Sequence, residues 1–156
     1  MKEIKQEEII QAVKELCIQA NYELPEDVQQ ALHHACQEED SMLGKQTLSI
    51  LEDNAMIAKT SRMPICQDTG MACLFVEIGQ DVHIQGSLQE ALQEGVRQGY
   101  QEGYLRKSIV DDPVFERRNT QDNTPAYIHY EIVEGDQFKI IVAPKGFGSE
   151  NMSQVK

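Results

Sequence analysis

Apolar residues recur every three or four positions through the first sixty residues of the chain, which is the period of amphipathic helices. One such stretch runs from residue 2 to about residue 20. A second runs from residue 25 to about residue 39, where a proline and two acids suit a helix N-terminus. Ser41 can cap a third helix over residues 45–59. The pattern therefore predicts a helical region over residues 1–60.

The pattern changes beyond residue 60, where short apolar runs alternate with turn-forming residues. Met71–Ile78 is a mostly apolar run with β-favouring residues, which is typical of a buried strand. Val82–Ile84 alternates in polarity and predicts a strand that returns beside it as a hairpin. Ala126–Val133 and Phe138–Ala143 flank a glycine-containing turn and predict a second hairpin.

A fourth helix is predicted between these strands. Ser87 is its expected N-cap, and an acid three residues later completes a capping box. Gly95 and Gly99 fall on the buried side of this helix, which predicts close packing against a neighbour. We therefore predict one α/β domain of mixed α+β type over residues 1–156. Its N-terminal third is helical, residues 61–156 mix strands and helices, and the candidate site lies on loops at strand ends.

Acidic residues outnumber basic ones: the chain carries 26 Asp+Glu against 14 Lys+Arg, a net charge of −12. Nucleic acids and anionic membranes require a basic surface, so neither is an expected partner. No apolar run is long enough to span a bilayer, and nothing at the N-terminus resembles a signal peptide. Because the cysteines lack the close spacings of zinc or redox sites, we expect free thiols in a reducing cytoplasm. These cysteines are Cys17, Cys36, Cys66 and Cys73.

A thiol, an amide and a carboxylic acid follow one another at Cys66, Gln67 and Asp68. Pro64 and Gly70 favour a loop here, and the first predicted strand follows directly. Functional groups commonly lie on a loop that is braced by a strand. The Cys66 thiol could become a metal-bound thiolate, with the Gln67 amide and the Asp68 carboxylate directly beside it. Each one alone also suits an ordinary Pro/Gly turn with an incidental buried cysteine.

Two later segments could bind an anion. Residues 105–125 form a long polar stretch that carries Arg106, and loops of this length are usually functional or disordered. Residues 145–151 read Lys-Gly-Phe-Gly-Ser-Glu-Asn, where glycines let backbone N–H groups approach an anion closely. A plain glycine turn is the alternative for the second segment. Together the two segments would give an acidic chain a local basic site.

Pro-Ile-Cys-Gln-Asp-Thr-Gly at residues 64–70 resembles the signature of the class I, iron–sulfur-dependent fumarate hydratases and the related L-tartrate dehydratase α subunits. Members of this family hold a four-iron, four-sulfur (4Fe-4S) cluster by three cysteines and leave one iron open for substrate. The resemblance implies a hydro-lyase that reversibly dehydrates a small 2-hydroxy dicarboxylate, malate to fumarate, by Lewis-acid catalysis. Further segments of the family pattern follow in order along the chain: Gly44-Lys45, Glu52–Ala55, Leu105–Ser108, Asn119–Pro125 and Lys145–Asn151.

The resemblance also implies residue roles. Cys66 would be a metal ligand of the cluster. Gln67 and Asp68 would contact the substrate, and Asp68 would also handle a proton as the catalytic residue. Arg106 would clamp a substrate carboxylate, for which its planar fork is suited. The remaining substrate-binding donors would be Gly148 and Asn151.

The resemblance further implies that this is the N-terminal portion of a longer α-type chain. The family's other cluster cysteines lie beyond residue 156, and Cys17, Cys36 and Cys73 do not match them. We therefore expect no assembled cluster and no activity from this portion alone. The expected partners are the dicarboxylate and a β subunit or C-terminal domain, in a homo- or hetero-oligomer. Phe147 replaces the second of three glycines usual in the family, which alters the backbone geometry expected there.

Three alternatives stay open. Fumarate and tartrate enzymes share these motifs, so the chain could instead be an L-tartrate dehydratase α subunit. Asp68-Thr69-Gly70 is also the triplet of aspartic proteases, which work as a symmetric pair of carboxylates, whereas the triplet occurs once here. In the third alternative the chain is a non-catalytic acidic assembly domain, and the Cys66 loop is purely structural.

Overall fold

The structure, a computed structural model, describes residues 2–150 and residue 154, with the backbone alone at residues 149 and 150. The fold is mixed α/β, with helices dominating the N-terminal part and strands following, as predicted. The elements in chain order are β1 (Lys2–Lys5), α1 (Gln6–Tyr22), α2 (Glu26–Glu38), α3 (Met42–Ser61), β2 (Met71–Gly79), β3 (Val82–Gln85), α4 (Leu88–Glu102), β4 (Tyr127–Val133), β5 (Phe138–Lys145) and α5 (Phe147–Glu150).

Helices α1 and α4 pack closely together, and two glycines on α4 make this contact possible. A Cβ on Gly99 would stand 2.8 Å from the Cβ of Cys17, and one on Gly95 would stand 2.6 Å from the Cβ of Val13. Larger residues at either position would force the helices apart, because protein interiors are close-packed. The close packing predicted for these glycines is confirmed.

The core lies between these two helices and one face of the main sheet. Leu74 and Val76 of β2 are buried against α1 and α4, and each such side chain stabilises the fold by about 1.5–3 kcal/mol. Cys17 belongs to this core, and burial raises the pKa of its thiol to about 12. This thiol therefore stays protonated and packs as an apolar core side chain. The helices contribute Ile9, Val13, Cys17, Leu92, Val96 and Tyr100.

Strand β2 lies in the middle of the main sheet, between β4 and β5. It runs parallel to β4, with Cys73 opposite Tyr127, and antiparallel to β5, with Cys73 opposite Ala143. The hairpin predicted over residues 126–143 is therefore wrong. Its two strands each pair with β2, because the buried apolar β2 offers both of its edges to them.

The turn between β4 and β5 crosses the end of β2. The Gly79 N–H donates to the Gln137 carbonyl at 2.7 Å, and the Asp81 N–H donates to the Gly135 carbonyl at 2.9 Å. A Cβ on Gly79 would stand 2.8 Å from the Gln137 nitrogen and overlap the Gly135 carbonyl. Glycine at this position lets the turn pass close enough for β4 and β5 to flank β2.

Strands β1 and β3 form a separate parallel pair, in which Ile4 lies opposite Ile84. Two predictions are corrected by this pair. Residues 82–84 do not return beside β2, and the first helix begins at Gln6 instead of residue 2. Local periodicity predicted a longer helix. Pairing with a strand about eighty residues away overrides that preference, because it supplies the backbone hydrogen bonds of these residues.

Helices α2 and α3 form a hairpin that packs little against the rest of the described chain. Their boundaries agree with the prediction, and Ser41 Oγ accepts the Gly44 N–H at 3.3 Å as the expected N-cap. Among the described residues of these two helices, Ala58 alone is buried. Large side chains on α3 stay exposed, including Ile50 and Ile57. Within residues 2–150, no helix combines the length and apolar character that a membrane span requires.

Candidate active site

The loop between α3 and β2 is fixed by contacts with two asparagines. Arg62 ends α3 in the left-handed conformation, with φ 52°. Asn54 Nδ2 donates to the Ile65 carbonyl at 3.0 Å, and the Ile65 N–H donates to the Asn21 carbonyl at 2.9 Å. The chain is therefore anchored directly before the three candidate side chains.

Gly70 ends this loop where the chain enters β2. Its φ of 63° is a conformation that other residues rarely adopt. A Cβ on Gly70 would overlap the Lys145 carbonyl and stand 2.8 Å from the Gly146 nitrogen. Gly70 thus allows the end of β5 and the segment after it to lie directly against the loop.

Thr69 connects the loop to the segment that carries Arg106. Its buried Oγ1 accepts the Arg106 N–H at 2.8 Å and donates to the Arg106 carbonyl at 3.3 Å. The Thr69 carbonyl accepts the Tyr100 hydroxyl at 2.9 Å. Burial raises the pKa of Tyr100, so this phenol stays protonated and remains a donor.

Asn123 makes a second connection between the same two segments. Its side chain is fully buried. Nδ2 donates to the Gly70 carbonyl at 3.1 Å, while Oδ1 accepts the Ser108 N–H at 2.7 Å and the Ile109 N–H at 3.3 Å. One amide therefore joins three segments of the chain.

Helix α4 anchors the loop that contains Asn123. Arg97 Nε donates to Asp122 Oδ2 at 3.0 Å, and the Thr124 N–H donates to Asp122 Oδ1 at 2.9 Å. Burial by itself would raise the pKa of Asp122, but hydrogen bonds from Thr124 and Arg97 lower it to about 2. The carboxylate therefore stays ionised at neutral pH and keeps the loop bound to the helix.

Two neighbouring clefts open between these segments, and Arg106 lines both. Cys66 and Gln67 line the first, of about 300 Å³, and Asp68 and Phe147 line the second, of about 210 Å³. Small-molecule sites usually measure about 300–1,000 Å³. Clefts at or below the lower end of this range suit a ligand of only a few carbon atoms.

The Cys66 thiol is exposed at the edge of its cleft. It donates to Gln67 Oε1 at 3.2 Å, and its sulfur accepts the Asp68 N–H at 3.5 Å. The sulfur is therefore accessible from the cleft, and the thiolate is the form of cysteine that binds metals. Among residues 2–150, no three His, Cys, Asp or Glu side chains are grouped to hold a metal ion. Among the described residues that line the two clefts, Cys66 is the one thiol.

Asp68 presents one carboxylate oxygen to its cleft. Oδ1 accepts the Gly70 N–H at 3.2 Å, while Oδ2 lies 3.8 Å from the point where a Cβ on Gly148 would stand. The structure thus brings Asp68 and Gly148 together, and Arg106 lines the same cleft as Asp68. Asn151 lies outside the described residues. Cys66, Gln67, Asp68 and Arg106 therefore line these two clefts, and Gly148 lies beside Asp68.

Phe147 replaces a glycine expected from the family pattern and begins the short helix α5. Its ring lies 5.5 Å from Lys145 Nζ and forms part of the wall of the Asp68 cleft. The aromatic residue therefore narrows this cleft, where a glycine would leave it more open.

A larger cleft, of about 570 Å³, lies between α2 and α3. Its walls are mainly apolar, and its polar residues include His33, whose Nδ1 lies 3.0 Å from Glu52 Oε1. None of the candidate side chains that the structure describes lines it. We place the candidate site at the smaller clefts because a thiol, a carboxylate and a guanidinium converge there.

Sequence reasoning missed the three buried side chains that hold the site segments: Thr69, Tyr100 and Asn123. The available signal was weak. Asn is one of the few residues that adopt positive φ readily, and Asn123 has φ 62°. Its partners, however, lie about 15 and 53 residues away in the chain.

Comparison with known proteins gives a consistent result. Residues 10–156 match the family described as fumarate hydratase (fumerase). The chain is 37% identical over 154 residues to the putative L(+)-tartrate dehydratase subunit alpha of Methanocaldococcus jannaschii, covering 95% of this chain and 54% of that relative. It is 30% identical over 129 residues to L(+)-tartrate dehydratase subunit alpha of Escherichia coli (strain UTI89 / UPEC), covering 80% of this chain and 42% of that relative.

A fumarate hydratase also matches, over a shorter stretch. The chain is 34% identical over 101 residues to the anaerobic class I fumarate hydratase of Escherichia coli (strain K12), covering 63% of this chain and 18% of that relative. The chain spans about half the length of the tartrate dehydratase subunits it matches. Since the family match extends over nearly the whole chain, this protein belongs to the fumarate hydratase (fumerase) family.

Proposed function

We propose that this chain is the N-terminal portion of an α-type hydro-lyase chain that reversibly dehydrates a small 2-hydroxy dicarboxylate, malate to fumarate. One observation carries the proposal. In a member of the fumerase family, Cys66, Gln67, Asp68 and Arg106 surround two neighbouring clefts whose size suits a ligand of few carbons.

Arg106 and Gln67 would bind the substrate. The guanidinium of Arg106 would clamp one carboxylate through two parallel hydrogen bonds, and the Gln67 amide would add a further polar contact. This cation provides local attraction for a dianion although the chain carries a net charge of −12. The Gly148 backbone, beside Asp68 Oδ2, would offer a donor, and Asn151 is proposed to offer its amide.

Asp68 would move the proton. Because its Oδ1 accepts the Gly70 N–H, Oδ2 is the oxygen that we expect to hold or transfer a proton. The half-buried position of Asp68 limits the access of water to this step. Phe147 on the same wall would further reduce solvent access.

Cys66 would supply one thiolate to a 4Fe-4S cluster. Its exposed sulfur, with a backbone N–H directed at it, fits this role. When bound, such a cluster supplies a Lewis-acid iron for the leaving hydroxyl. A cluster needs several thiolates, but Cys17 and Cys73 are buried, and the half-buried Cys36 lines a different cleft, beside Lys45. The further ligands would therefore come from polypeptide beyond residues 2–150, in a cytoplasmic setting that keeps the thiols reduced.

L(+)-tartrate is the second candidate substrate, and a specific observation favours it. Two of the relatives named above are tartrate dehydratase α subunits that match 95% and 80% of this chain, whereas the fumarate hydratase matches 63%. The name "subunit alpha" of these relatives also supports the proposal of a β-type partner, in a homo- or hetero-oligomer.

The test uses the natural polypeptide that contains residues 1–156, prepared with its β-type partner and reconstituted anaerobically with iron and sulfide. Turnover of malate and of L-tartrate is measured side by side. We expect Cys66→Ala to lose bound iron, Asp68→Asn to keep iron and lower kcat by about 100-fold or more, and Arg106→Gln to raise KM.

Lys107→Gln is the matched control for Arg106→Gln, because Lys107 is the adjacent basic residue and lines neither cleft. Absence of bound iron and of both activities in the wild type would overturn the proposal. If Cys66→Ala and Asp68→Ala changed stability alone, the acidic assembly domain would be the better interpretation. Pepstatin-sensitive proteolysis would instead support the aspartic protease.

A further inference from the structure

Two loops meet at the candidate site, one carrying Asp68 and the other Arg106. In each loop, a backbone group two residues later binds the same buried side chain. Gly70 stands two residues after Asp68, and Ser108 stands two residues after Arg106. Asn123 binds both backbone groups, through Nδ2 to the Gly70 carbonyl and through Oδ1 to the Ser108 N–H. The position of Asp68 relative to Arg106 therefore depends in part on this intervening amide.

Asn123 is suited to this task by conformation and by burial. Its φ of 62° lies in a region that asparagine enters more readily than most residues. No buried side-chain nitrogen or oxygen among the described residues lacks a hydrogen-bond partner. Hydrogen bonds of a fully buried amide are costly to remove, because the freed partners stay away from water.

The loop that carries Asn123 is itself anchored to a rigid helix. On one side of Asn123, Asp122 pairs with Arg97 of α4. Further along, the Ala126 N–H donates to Gln93 Oε1 of α4 at 2.9 Å. Asn123 can therefore transmit the fixed position of α4 to both site loops. Thr69, which binds the Arg106 backbone directly, supplies the second point of attachment.

We propose that Asn123 is a positioning residue. It fixes the position of the Arg106 loop relative to the Asp68 loop and thereby sets the affinity for the substrate carboxylate. The proposal rests on the function proposed above. Asn123 does not contact the substrate. Its effect passes through Arg106. The Asp68 loop stays fixed by the pairing of β2 and by the Gly70 N–H on Asp68 Oδ1, so the segment that moves is the one that carries Arg106. The Arg106 clamp contributes to binding in the ground state and the transition state alike. Misplacement of a substrate-binding group by about 1 Å can lower kcat/KM by up to about 100-fold.

The test compares Asn123→Gly with Gln121→Gly in the reconstituted enzyme. Glycine keeps the positive φ at either position, and Gln121 has φ 68° in the same loop with an exposed side chain. We expect Asn123→Gly to raise KM for the substrate by about tenfold and to leave kcat within about twofold. Gln121→Gly should change neither. A purely structural role predicts a lower apparent kcat at constant KM, because the variant would then only reduce the fraction of folded enzyme.

Amide hydrogen exchange in the same proteins gives a readout that does not depend on turnover. The Arg106 N–H is bound to Thr69, so faster exchange there on Asn123→Gly measures the coupling between the loops. We expect exchange at Ser108, Ile109 and Arg106 to accelerate by about tenfold or more, with no change at core residues such as Leu92. Asn123→Asp keeps the acceptor for Ser108 and lacks the donor for Gly70. This variant should keep the slow amide exchange at Ser108 and still raise KM.

The two proposals fail in different ways. If the wild type turns over neither substrate but Asn123→Gly accelerates exchange at Arg106, the proposed function is wrong, and the connection of the two loops by Asn123 is supported. If the wild type is active and folded Asn123→Gly changes neither KM nor exchange at Arg106, the positioning role is overturned.

Discussion

Helices α3 and α4 differ in how much of their surface the described chain covers. α3 is 20 residues long, and Ala58 is its single buried residue, while Ile50 is 65% exposed. α4 is 15 residues long and buries six residues against α1 and the sheet. Both helices begin with a serine N-cap and have an apolar stripe.

The comparison shows that an apolar stripe by itself does not determine where a helix packs. α4 has two roles. Its apolar side, which includes Tyr100, forms the core, and polar groups of Gln93, Arg97 and Tyr100 bind the site loops. The Asn54 side chain of α3 donates to the site loop, and the apolar side chains of α3 mostly face outward. Most helix stability comes from such packing, so the two helices should respond differently to the same substitution.

The largest effect is expected from truncating a core side chain of α4. Leu92→Ala should lower the free energy of unfolding by about 2–5 kcal/mol, because it removes a fully buried side chain and leaves a cavity. Ile50→Ala on α3 is the matched change and should cost less than about 0.5 kcal/mol. Urea unfolding of both variants checks this pair. Equal losses would mean that the α3 surface is covered in solution.

The next effect concerns the ion pair that anchors the Asn123 loop to α4. Asp122→Asn should cost about 2 kcal/mol at pH 7, because hydrogen bonds lower the pKa of Asp122 from 3.8 to about 2. A folded pKa below the unfolded one gives stability that is present above about pH 4 and lost as the pH falls towards 2. The difference between wild type and variant should therefore fall to about half by pH 3.

Urea unfolding between pH 7 and pH 3 measures this difference. Asp136→Asn removes one carboxylate from the exposed turn between β4 and β5 and is the control for the loss of a negative charge. A constant difference for Asp122→Asn across this range would contradict the assignment of the stabilisation to the carboxylate charge.

A smaller loss of stability is expected from removing the hydroxyl of either of two buried tyrosines, and only one of them contacts the site loop. Tyr100→Phe should cost about 1 kcal/mol, since its hydroxyl donates to the Thr69 and Gly70 carbonyls. Tyr22→Phe should cost a similar amount, because that hydroxyl donates to the Gly103 carbonyl. Only Tyr100→Phe should accelerate hydrogen exchange at the Arg106 amide. Acceleration by both variants would indicate general loosening of α4 instead of a local contact at the site.

The smallest effect is expected where the α2–α3 hairpin joins the rest of the chain. Lys59 Nζ lies 3.1 Å from Glu23 Oε2, and both side chains are well exposed. Lys59→Met should cost less than about 0.5 kcal/mol, and the loss should disappear at high salt. Lys14→Met, which breaks the Lys14–Glu102 contact between α1 and α4, should cost more, because the Lys14 side chain is more buried. A reversed order would contradict the contrast between the two regions.

Local features of the fold were predictable from sequence. The caps at Ser41 and Ser87 were predicted correctly, because a cap joins a side-chain oxygen to a backbone N–H three residues later. The core side of α4 followed from spacing, including its two glycines. The order of loop, strand and glycine around Cys66 was likewise predicted, since proline and glycine restrict the backbone at their own positions.

Strand pairing was not predictable in the same way. Both predicted hairpins were wrong, because β2 takes β4 and β5 as neighbours and β3 takes β1. Alternating polarity identifies a strand but says nothing about its partner, which here is up to about eighty residues distant.

The candidate site shows the same division. The sequence by itself determined that a thiol, an amide and a carboxylate would share one loop, and that a basic residue would lie in another. Only the tertiary structure decided that these loops meet at shared clefts and that Thr69 and Asn123 hold them together. The physical reason is that the side-chain chemistry is fixed residue by residue, whereas the hydrogen bonds of a buried amide such as Asn123 are satisfied by whichever distant backbone the packed core brings within reach.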